Sequence, residues 1–323
     1  GVGPIIFTSS NAIPKSGAIL AGVAGSTLAA GYAIDQAFLG RISSTGSSFA
    51  VGLAADSANN LNFSGTATGG ANLTAASLGA VGTTTRVYSG TLTPNGTAYR
   101  LGGGGGTLDF QSALTGVSNT LTVGGDVTGL GGTVILSSAA NSYGGATTVQ
   151  RGILQVASLA NAGSNSSTGT NGTINLSSGT STGTLRYVGL GDTSNRTINI
   201  QGTVGGTLDA SGSGALDMTS GTISAAANTL VTLTGSSTAA NSMGPIAGAG
   251  VSVDKTGPGL WRLTGNSSYT GRLTVRDGTA VVASAVGSGN SPFGGGTGES
   301  VRPIIGSSAA GLTGTVALLA DDV

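Results

Sequence analysis

The feature that most constrains this chain is a series of short alternating segments separated by glycine, asparagine and serine. Four clear examples are Thr120-Leu-Thr-Val123, Thr173-Ile-Asn-Leu176, Thr197-Ile-Asn-Ile200 and Thr229-Leu-Val-Thr-Leu-Thr234. Alternation with period two is typical of a β-strand that buries one face. Because strands of four to six residues cannot enclose a core alone, they must pair with equivalent strands elsewhere in the chain.

This pattern predicts an all-β fold, a parallel β-helix (β-solenoid) in which each strand pairs with its equivalent one rung on. At roughly 20 residues per rung the chain would make about 16 rungs. The alternative is a β-sandwich, since Asn-Gly pairs at Asn95 and Asn171 could form hairpin turns. Ser26 to Arg41 is an exception, where Ala-rich spacing predicts a short helix.

We predict three regions along the chain. Residues 1–45 form an N-terminal capping or assembly segment, residues 46–284 form the β-solenoid, and residues 285–323 form a C-terminal capping or assembly segment. The two terminal segments are atypical because they deviate from the repeat.

The composition excludes several classes of function. The chain has 323 residues without His or Cys, so it cannot form a Ser-His-Asp triad, a Cys nucleophile, a disulfide or a zinc site of thiolates and imidazoles. Charged residues make up 7%, with 12 basic and 12 acidic side chains. Nucleic-acid binding needs clustered Lys and Arg, so we expect no nucleic-acid partner, and we also expect no membrane span.

A longer internal repeat gives the most specific signal. Tyr143 to Ser158 aligns with Tyr269 to Ser284 without a gap, and a further strand precedes each copy. The second copy contains Leu260-Trp-Arg-Leu-Thr-Gly-Asn-Ser-Ser-Tyr269 and continues through Leu273-Thr-Val275 to Val282. In this stretch the chain resembles the autotransporter-associated β-strand repeat family.

We place the two copies of this repeat near 132–158 and 256–284. The first copy departs from the family pattern at Ser138-Ala-Ala-Asn141, and the second at Arg272 and Ala280. The resemblance implies an exported parallel β-helix on a bacterial surface.

Pairs of carboxylates about one rung apart are the strongest enzymatic signal. A glycosidase needs two carboxyl groups facing the scissile bond, and β-helical enzymes place such pairs on neighbouring rungs. The candidates are Asp109 with Asp126, Asp192 with Asp209, and Asp254 with Asp277. Asp209 and Asp217 follow Thr-Leu and Ala-Leu, so a turn hydrogen bond at a strand exit is the favoured interpretation.

Three other motifs are weaker evidence for a functional site. Gly179-Thr-Ser-Thr-Gly183 matches a nucleophile elbow formally, but no His exists to serve it. The glycine run Gly102 to Gly106 lacks the Lys of a phosphate loop, and so favours close backbone packing or a sharp bend. Gly189-Leu-Gly-Asp192 is a solitary calcium-repeat fragment. We therefore predict no catalytic, cofactor-binding or metal-binding residues and no cofactor.

Three aromatic residues have a structural interpretation. Trp261 could stack on a sugar, but burial against a neighbouring rung or a second chain is favoured. Tyr143 and Tyr269 share a repeat position, which predicts a structural role at the corner of a rung.

Three functions remain open from sequence. The first is a non-catalytic extracellular structural protein, a surface rod or filament subunit that associates with itself because few charges oppose contact between copies. The second is an adhesin passenger that binds glycans or surfaces. The third is a polysaccharide-active enzyme. All three place the protein outside the cell or on the bacterial surface.

Overall fold

The computed structural model describes residues 3–13, 20–43, 46–65, 72–283, 290–295, 303–306 and 312–319. It forms two compact units, Gly1–Gln155 with Asn165–Thr170, and Val156–Ser164 with Asn171–Val323. Each unit is a parallel β-solenoid.

Thirteen strands and two short helices of the described residues lie before residue 157. In chain order they are β1 (Ile5–Phe7), a 3-10 helix (Ser10–Ala12), β2 (Thr27–Ala30), α1 (Gln36–Leu39), β3 (Ala50–Leu53), β4 (Leu61–Asn62), β5 (Ser77–Ala80), β6 (Arg86–Tyr88), β7 (Leu92–Thr93), β8 (Ala98–Leu101), β9 (Thr107–Phe110), β10 (Thr120–Val123), β11 (Thr133–Leu136), β12 (Thr147–Val149) and β13 (Gly152–Val156).

Sixteen strands of the described residues come after them. They are β14 (Thr173–Leu176), β15 (Gly183–Tyr187), β16 (Asp192–Thr193), β17 (Thr197–Ile200), β18 (Gly206–Ala210), β19 (Leu216–Met218), β20 (Thr222–Ala225), β21 (Leu230–Thr234), β22 (Asn241–Met243), β23 (Ile246–Ala247), β24 (Ser252–Lys255), β25 (Leu260–Leu263), β26 (Leu273–Val275), β27 (Gly278–Ala283), β28 (Ile304–Ile305) and β29 (Gly314–Leu319).

In the first unit, strands from successive turns form parallel ladders. One ladder runs in the order β1-β2-β3-β5-β8-β10-β12, a second contains β6-β9-β11, and β4 pairs with β7. The partners in these ladders are equivalent strands of successive turns, as parallel pairing with a long connection requires.

The second unit has three ladders of the same kind. They run β14-β17-β20-β23, β15-β18-β21-β24-β26-β28, and β16-β19-β22-β25-β27-β29. The pairings between described strands are parallel, so the predicted parallel β-solenoid is confirmed. The sandwich alternative, which requires antiparallel hairpin pairing, is wrong.

Stacks of similar aliphatic residues fill the interior. Ile174 lies beside Ile198, and Leu176 beside Ile200, and all four are at most 2% exposed. The alternating polar residues of the same strands, Thr and Asn, face outward and are partly exposed. Removing apolar surface from water contributes about 25 cal/mol per Å², so each turn is stabilised by the turns beside it.

The number of turns is lower than the sequence suggested. In the long ladder of the first unit, paired residues lie 22 positions apart in the sequence at β8-β10 and 27 positions apart at β3-β5. The sequence had suggested about 20 residues per turn. Seven strands of this ladder in the first unit and four in the corresponding ladder of the second give about eleven turns in the described residues, not 16.

The predicted helix between Ser26 and Arg41 is only partly correct. Thr27–Ala30 is strand β2, because it gains ladder hydrogen bonds from β1 and β3. A single helical turn, α1, lies where the Asp35 carboxylate accepts a hydrogen bond of 2.9 Å from the Phe38 amide. Much of the predicted C-terminal segment 285–323 lies outside the described residues, and the capping roles of both termini stay predictions.

A glycine-rich layer covers the outer face of the first unit's long ladder. We call residues 102–106 together with 124–132 the glycine cover. Gly102 to Gly105 have φ between +75° and +100°, and the Gly103 and Gly104 amides donate to the Gly131 and Gly129 carbonyls. The layer lies so close that a Cβ at Gly103 would be 2.5 Å from the Ala50 Cβ. Close backbone packing, predicted for this glycine run, is confirmed.

We expect Gly103→Ala to destabilise the first unit by about 2 kcal/mol more than Gly105→Ala, measured by chemical denaturation. Both glycines have positive φ, which costs an alanine about 1–2 kcal/mol in either place. Only at Gly103 does the new methyl meet a neighbour, since nothing lies within 4 Å of a Cβ at Gly105. Equal losses for the two variants would contradict the close packing.

Candidate ligand-binding cleft

A row of outward-facing residues crosses the first unit's long ladder. The register pairs Thr27 with Ala50, Ala50 with Ser77, and Arg100 with Thr122. Leu78 pairs with Leu101, which places the preceding residues Ser77 and Arg100 side by side. Adjacent strands are about 4.8 Å apart, so the row brings distant parts of the sequence together. Its middle, Ser77 to Thr122, forms the floor of a cleft.

The glycine cover forms one wall of this cleft. Leu130 is buried, and its side chain would lie 2.7 Å from a Cβ at Gly125 and 3.4 Å from one at Gly103. Arg151 holds the wall from the other side, because Nε donates to the Gly125 carbonyl at 3.2 Å and Nη2 to the Asp126 carbonyl at 3.3 Å. Cover and floor together enclose about 400 Å³.

The cleft is polar, and its cation, Arg100, forms no ion pair within the described residues. Its polar side chains are Ser48, Ser77, Arg100, Thr122, Asp126 and Gln150. Arg100 makes one weak contact, 3.4 Å from Nη1 to the Ala98 carbonyl, although a guanidinium has five donors. The two ion pairs of the described residues are Arg186 with Asp209 and Arg276 with Asp254, each 2.7 Å. Arg100 is therefore a half-buried cation without a carboxylate partner in the described chain.

Two further cavities in the first unit offer less chemistry. One of about 450 Å³ is lined mainly by glycine backbone, with Thr27 and Arg151 as its polar side chains. The other, about 190 Å³, lies among Tyr32, Asp35 and Phe38 near the N-terminus. The cleft at Arg100 therefore combines size with the most polar side chains.

The structure places the members of each predicted carboxylate pair on different elements and engages most of them in structural hydrogen bonds. Asp109 lies on β9 and Asp126 in the glycine cover. Asp192 begins β16 and Asp209 lies on β18, which belong to different ladders. Asp192 accepts hydrogen bonds from the Leu159 amide at 2.7 Å and the Ser158 hydroxyl at 3.2 Å.

The third pair is also engaged elsewhere. Asp254 is buried against Arg276, and the Asp277 side chain accepts the Gly278 amide at 2.9 Å. Asp217 makes the predicted turn bond, accepting the Thr219 amide at 2.9 Å. Asp209 lies within a strand, where one carboxylate oxygen accepts the Ser211 hydroxyl at the strand exit, at 2.5 Å, and the other accepts Arg186 Nε at 2.7 Å.

The formal motifs have structural roles. Ser181 is 2% exposed in a tight turn that it closes with Ser178 through two backbone hydrogen bonds. Gly189 lies so close to the Ala157 carbonyl that a Cβ there would be 2.2 Å away. Among the described residues, no three His, Cys, Asp or Glu side chains cluster where a metal could bind.

Trp261, Tyr143 and Tyr269 are buried, in agreement with the structural roles that the sequence favoured. Trp261 is 1% exposed, and its indole N–H donates to the Thr234 carbonyl at 2.9 Å. Tyr143 bonds Thr147 at 2.6 Å and Tyr269 donates to the Pro292 carbonyl at 3.1 Å. Burial raises the pKa of Tyr269 and of Tyr88 well above the usual range.

A recurring turn beneath these tyrosines was not predicted. Ser166 and Ser291 each open a Ser-x-x-Gly turn whose Ser hydroxyl donates to the Gly carbonyl. The Gly, Gly169 or Gly294, has positive φ, and a Cβ there would strike the tyrosine ring and carbonyl. A Ser-x-x-Gly about one turn after each repeat tyrosine was the signal available in the sequence.

Two buried cations in the second unit were also not identified from the sequence. Arg196 is fully buried and donates to three carbonyls, those of Ala160, Asn171 and Ser164, which fixes a long loop. Lys255 is 1% exposed, and Nζ donates to the Thr256, Gly257 and Asp277 carbonyls at 2.6–2.9 Å. Burial lowers the pKa of Lys255 to about 8, while the nearby Asp277 charge opposes the shift.

In the parts of the chain that the structure describes, no helix has the length and apolar character needed to cross a membrane.

The fold defines the class of this protein, a parallel β-solenoid that contains an internal repeat. Residues 131–156 and 253–279 match the Passenger-associated-transport-repeat family, which confirms the resemblance to autotransporter-associated repeats. The matched residues overlap the two predicted copies near 132–158 and 256–284.

A curated relative agrees with this assignment. The chain is 30% identical over 193 residues to the protein named "Adhesin BmaC autotransporter" from Brucella suis biovar 1 (strain 1330). The match covers 58% of this chain and 5% of that protein, so the chain spans a small fraction of its relative. No solved structure matches the chain significantly.

We expect the stability of the protein to rise between pH 8 and 9.5, by about 1–2 kcal/mol. The folded pKa of Lys255 is about 8 and its ordinary value is 10.5, so in this range the unfolded chain binds more protons. Chemical denaturation across this range measures the effect, and Lys255→Met should remove it. A wild-type profile as flat as that of the variant would contradict the assignment. Above pH 10 the raised tyrosine pKa values work in the opposite direction.

Proposed function

We propose that this chain is part of an exported, surface-displayed passenger of the autotransporter type and acts in adhesion. The observation that carries the proposal is the coincidence of two passenger-associated repeats with turns of a parallel β-solenoid. Similarity to a protein named as an autotransporter adhesin supports the same role.

The solenoid suits a binding role physically, because each turn adds the same outward positions to a continuous face. In the second unit, Thr173, Thr197 and Thr222 form one such row, and the Thr197 and Thr222 hydroxyls are 3.2 Å apart. Asn175 and Asn199 form a second row, joined by a 3.1 Å hydrogen bond. Such faces recognise partners through hydrogen bonds and shape rather than through strong charge.

A non-catalytic role is part of the proposal. It is supported by the placement of Asp192 and Asp209 on different ladders and by the structural contacts of Asp192, Asp209 and Asp254.

Self-association into a filament, expected from the low charge, stays a prediction. Sedimentation velocity of the purified chain over a range of concentrations addresses it, and a single monomeric species at all concentrations would remove it.

Surface display predicts that extracellular protease removes the protein from intact cells. We expect proteinase K to abolish labelling of intact producing cells by an antibody raised against this chain. A cytoplasmic protein in the same cells should survive the treatment and serves as the control. Labelling that appears only after the cells are permeabilised would overturn the proposal.

Adhesion is measured separately. Fluorescent purified chain should bind cultured mammalian cells saturably, and an excess of unlabelled chain should compete. A heat-unfolded sample of the same chain is the matched control, since the face exists only in the folded solenoid. Binding that is no stronger for the folded chain than for the unfolded sample would contradict the adhesive role.

A further inference from the structure

The cleft at Arg100 has a composition that points to a particular ligand. Arg100 lies half-buried on the floor with one 3.4 Å contact to its own strand's carbonyl, and it forms no ion pair within the described residues, although the Asp126 carboxylate also lines the cleft. A guanidinium in a concave site is a strong partner for a carboxylate, because two parallel N–H groups match its two oxygens.

The groups around Arg100 match hydroxyls rather than apolar side chains. The side chains of Ser48, Thr122 and Gln150 make no hydrogen bond within the described residues, and Asp126 lies exposed at the rim. The hydroxyl of Ser77 donates to the Gly102 carbonyl at 2.7 Å, which leaves its lone pairs as acceptors. Hydroxyl, amide and carboxylate groups together can donate to and accept from several sugar hydroxyls.

Size and rigidity agree with a small saccharide. The volume of about 400 Å³ lies in the range of small-molecule sites. Ladder hydrogen bonds fix the floor, and Arg151 and Leu130 fix the wall, so little ordering is required when a ligand binds.

We propose that this cleft binds a carboxylate-bearing sugar, with Arg100 holding the carboxylate and the surrounding side chains holding the hydroxyls. The inference rests on the proposed adhesive function and names the class of ligand that one of its sites would take. Uronic acids and sialic acids share this chemistry.

Isothermal titration calorimetry on the full chain tests the proposal. The probes are a hyaluronan tetrasaccharide, sialyllactose, and lactose as the neutral counterpart of sialyllactose. We expect one or both acidic probes to bind and lactose to bind at least about tenfold more weakly, since a charge-assisted pair contributes about 1.5–3 kcal/mol. The acidic probe that binds distinguishes a uronic acid from a sialic acid.

Substitution of Arg100 gives a second test of the proposal. Arg100→Gln should weaken the acidic probe at least about tenfold, and Arg100→Lys should give an intermediate loss because it keeps the charge but not the fork. Arg262→Gln, the same change on β25 of the second unit, is the matched control and should bind like wild type. Circular dichroism and melting of every variant show whether the solenoid is intact.

The outcomes separate this inference from the adhesive function. Absence of binding to both acidic probes, equal binding of lactose, or equal affinity of folded Arg100→Gln overturns the cleft assignment. If the wild-type chain still binds cells saturably in such a case, adhesion stands and depends on another face. If acidic sugars bind at Arg100 but cells do not bind the chain, the cleft stands and the adhesive role falls.

Discussion

Parallel hydrogen bonding between successive turns is the constraint on which the rest of this structure depends. A strand of four residues has too little apolar surface to remain folded alone, but its equivalent one turn on offers both a backbone ladder and a matching aliphatic side chain. Ile174 against Ile198 and Leu176 against Ile200 show the principle directly. The same register aligns the outward-facing residues of successive turns, and so produces rows of polar groups.

The glycine cover gives the solenoid of the first unit its cleft. The outer positions of β2, β3 and β5 are Ala, Gly, Ser and Thr, small enough for a second layer of backbone to lie on them. The glycine cover uses this space, with Gly103 against Ala50 and Gly129 against Gly25. Where the row changes to Arg100 and Thr122, the cover stands away from the floor, and the polar cleft opens there.

Loops and turns are held by buried polar side chains that a compact globular core would not need. A solenoid has many strand ends, and every end leaves carbonyl groups to be satisfied. Arg196 donates to three carbonyls of one loop, Lys255 donates to three carbonyls beside the ends of β24 and β27, and Tyr143 and Tyr269 cover Ser-x-x-Gly turns. Asp192, Asp209 and Asp254 likewise bind groups of a neighbouring turn or loop. The chain has 12 acidic residues, and most of those in the described residues make such contacts.

The sequence by itself determined the strands, their parallel stacking and the two repeat copies, because period-two alternation and a repeated turn are local patterns that survive in one dimension. It also favoured the burial of Trp261, and for the glycine run it offered close packing or a sharp bend, of which the structure shows the close packing. The length of a turn, the strand at Thr27–Ala30 and the Arg100 cleft were decided only by tertiary structure. Each depends on which residues meet across 20 or more positions of sequence, as when Gly103 reaches Ala50 or Gly129 reaches Gly25. No local pattern encodes such contacts, since they result from the register of the ladders and from the loops between them.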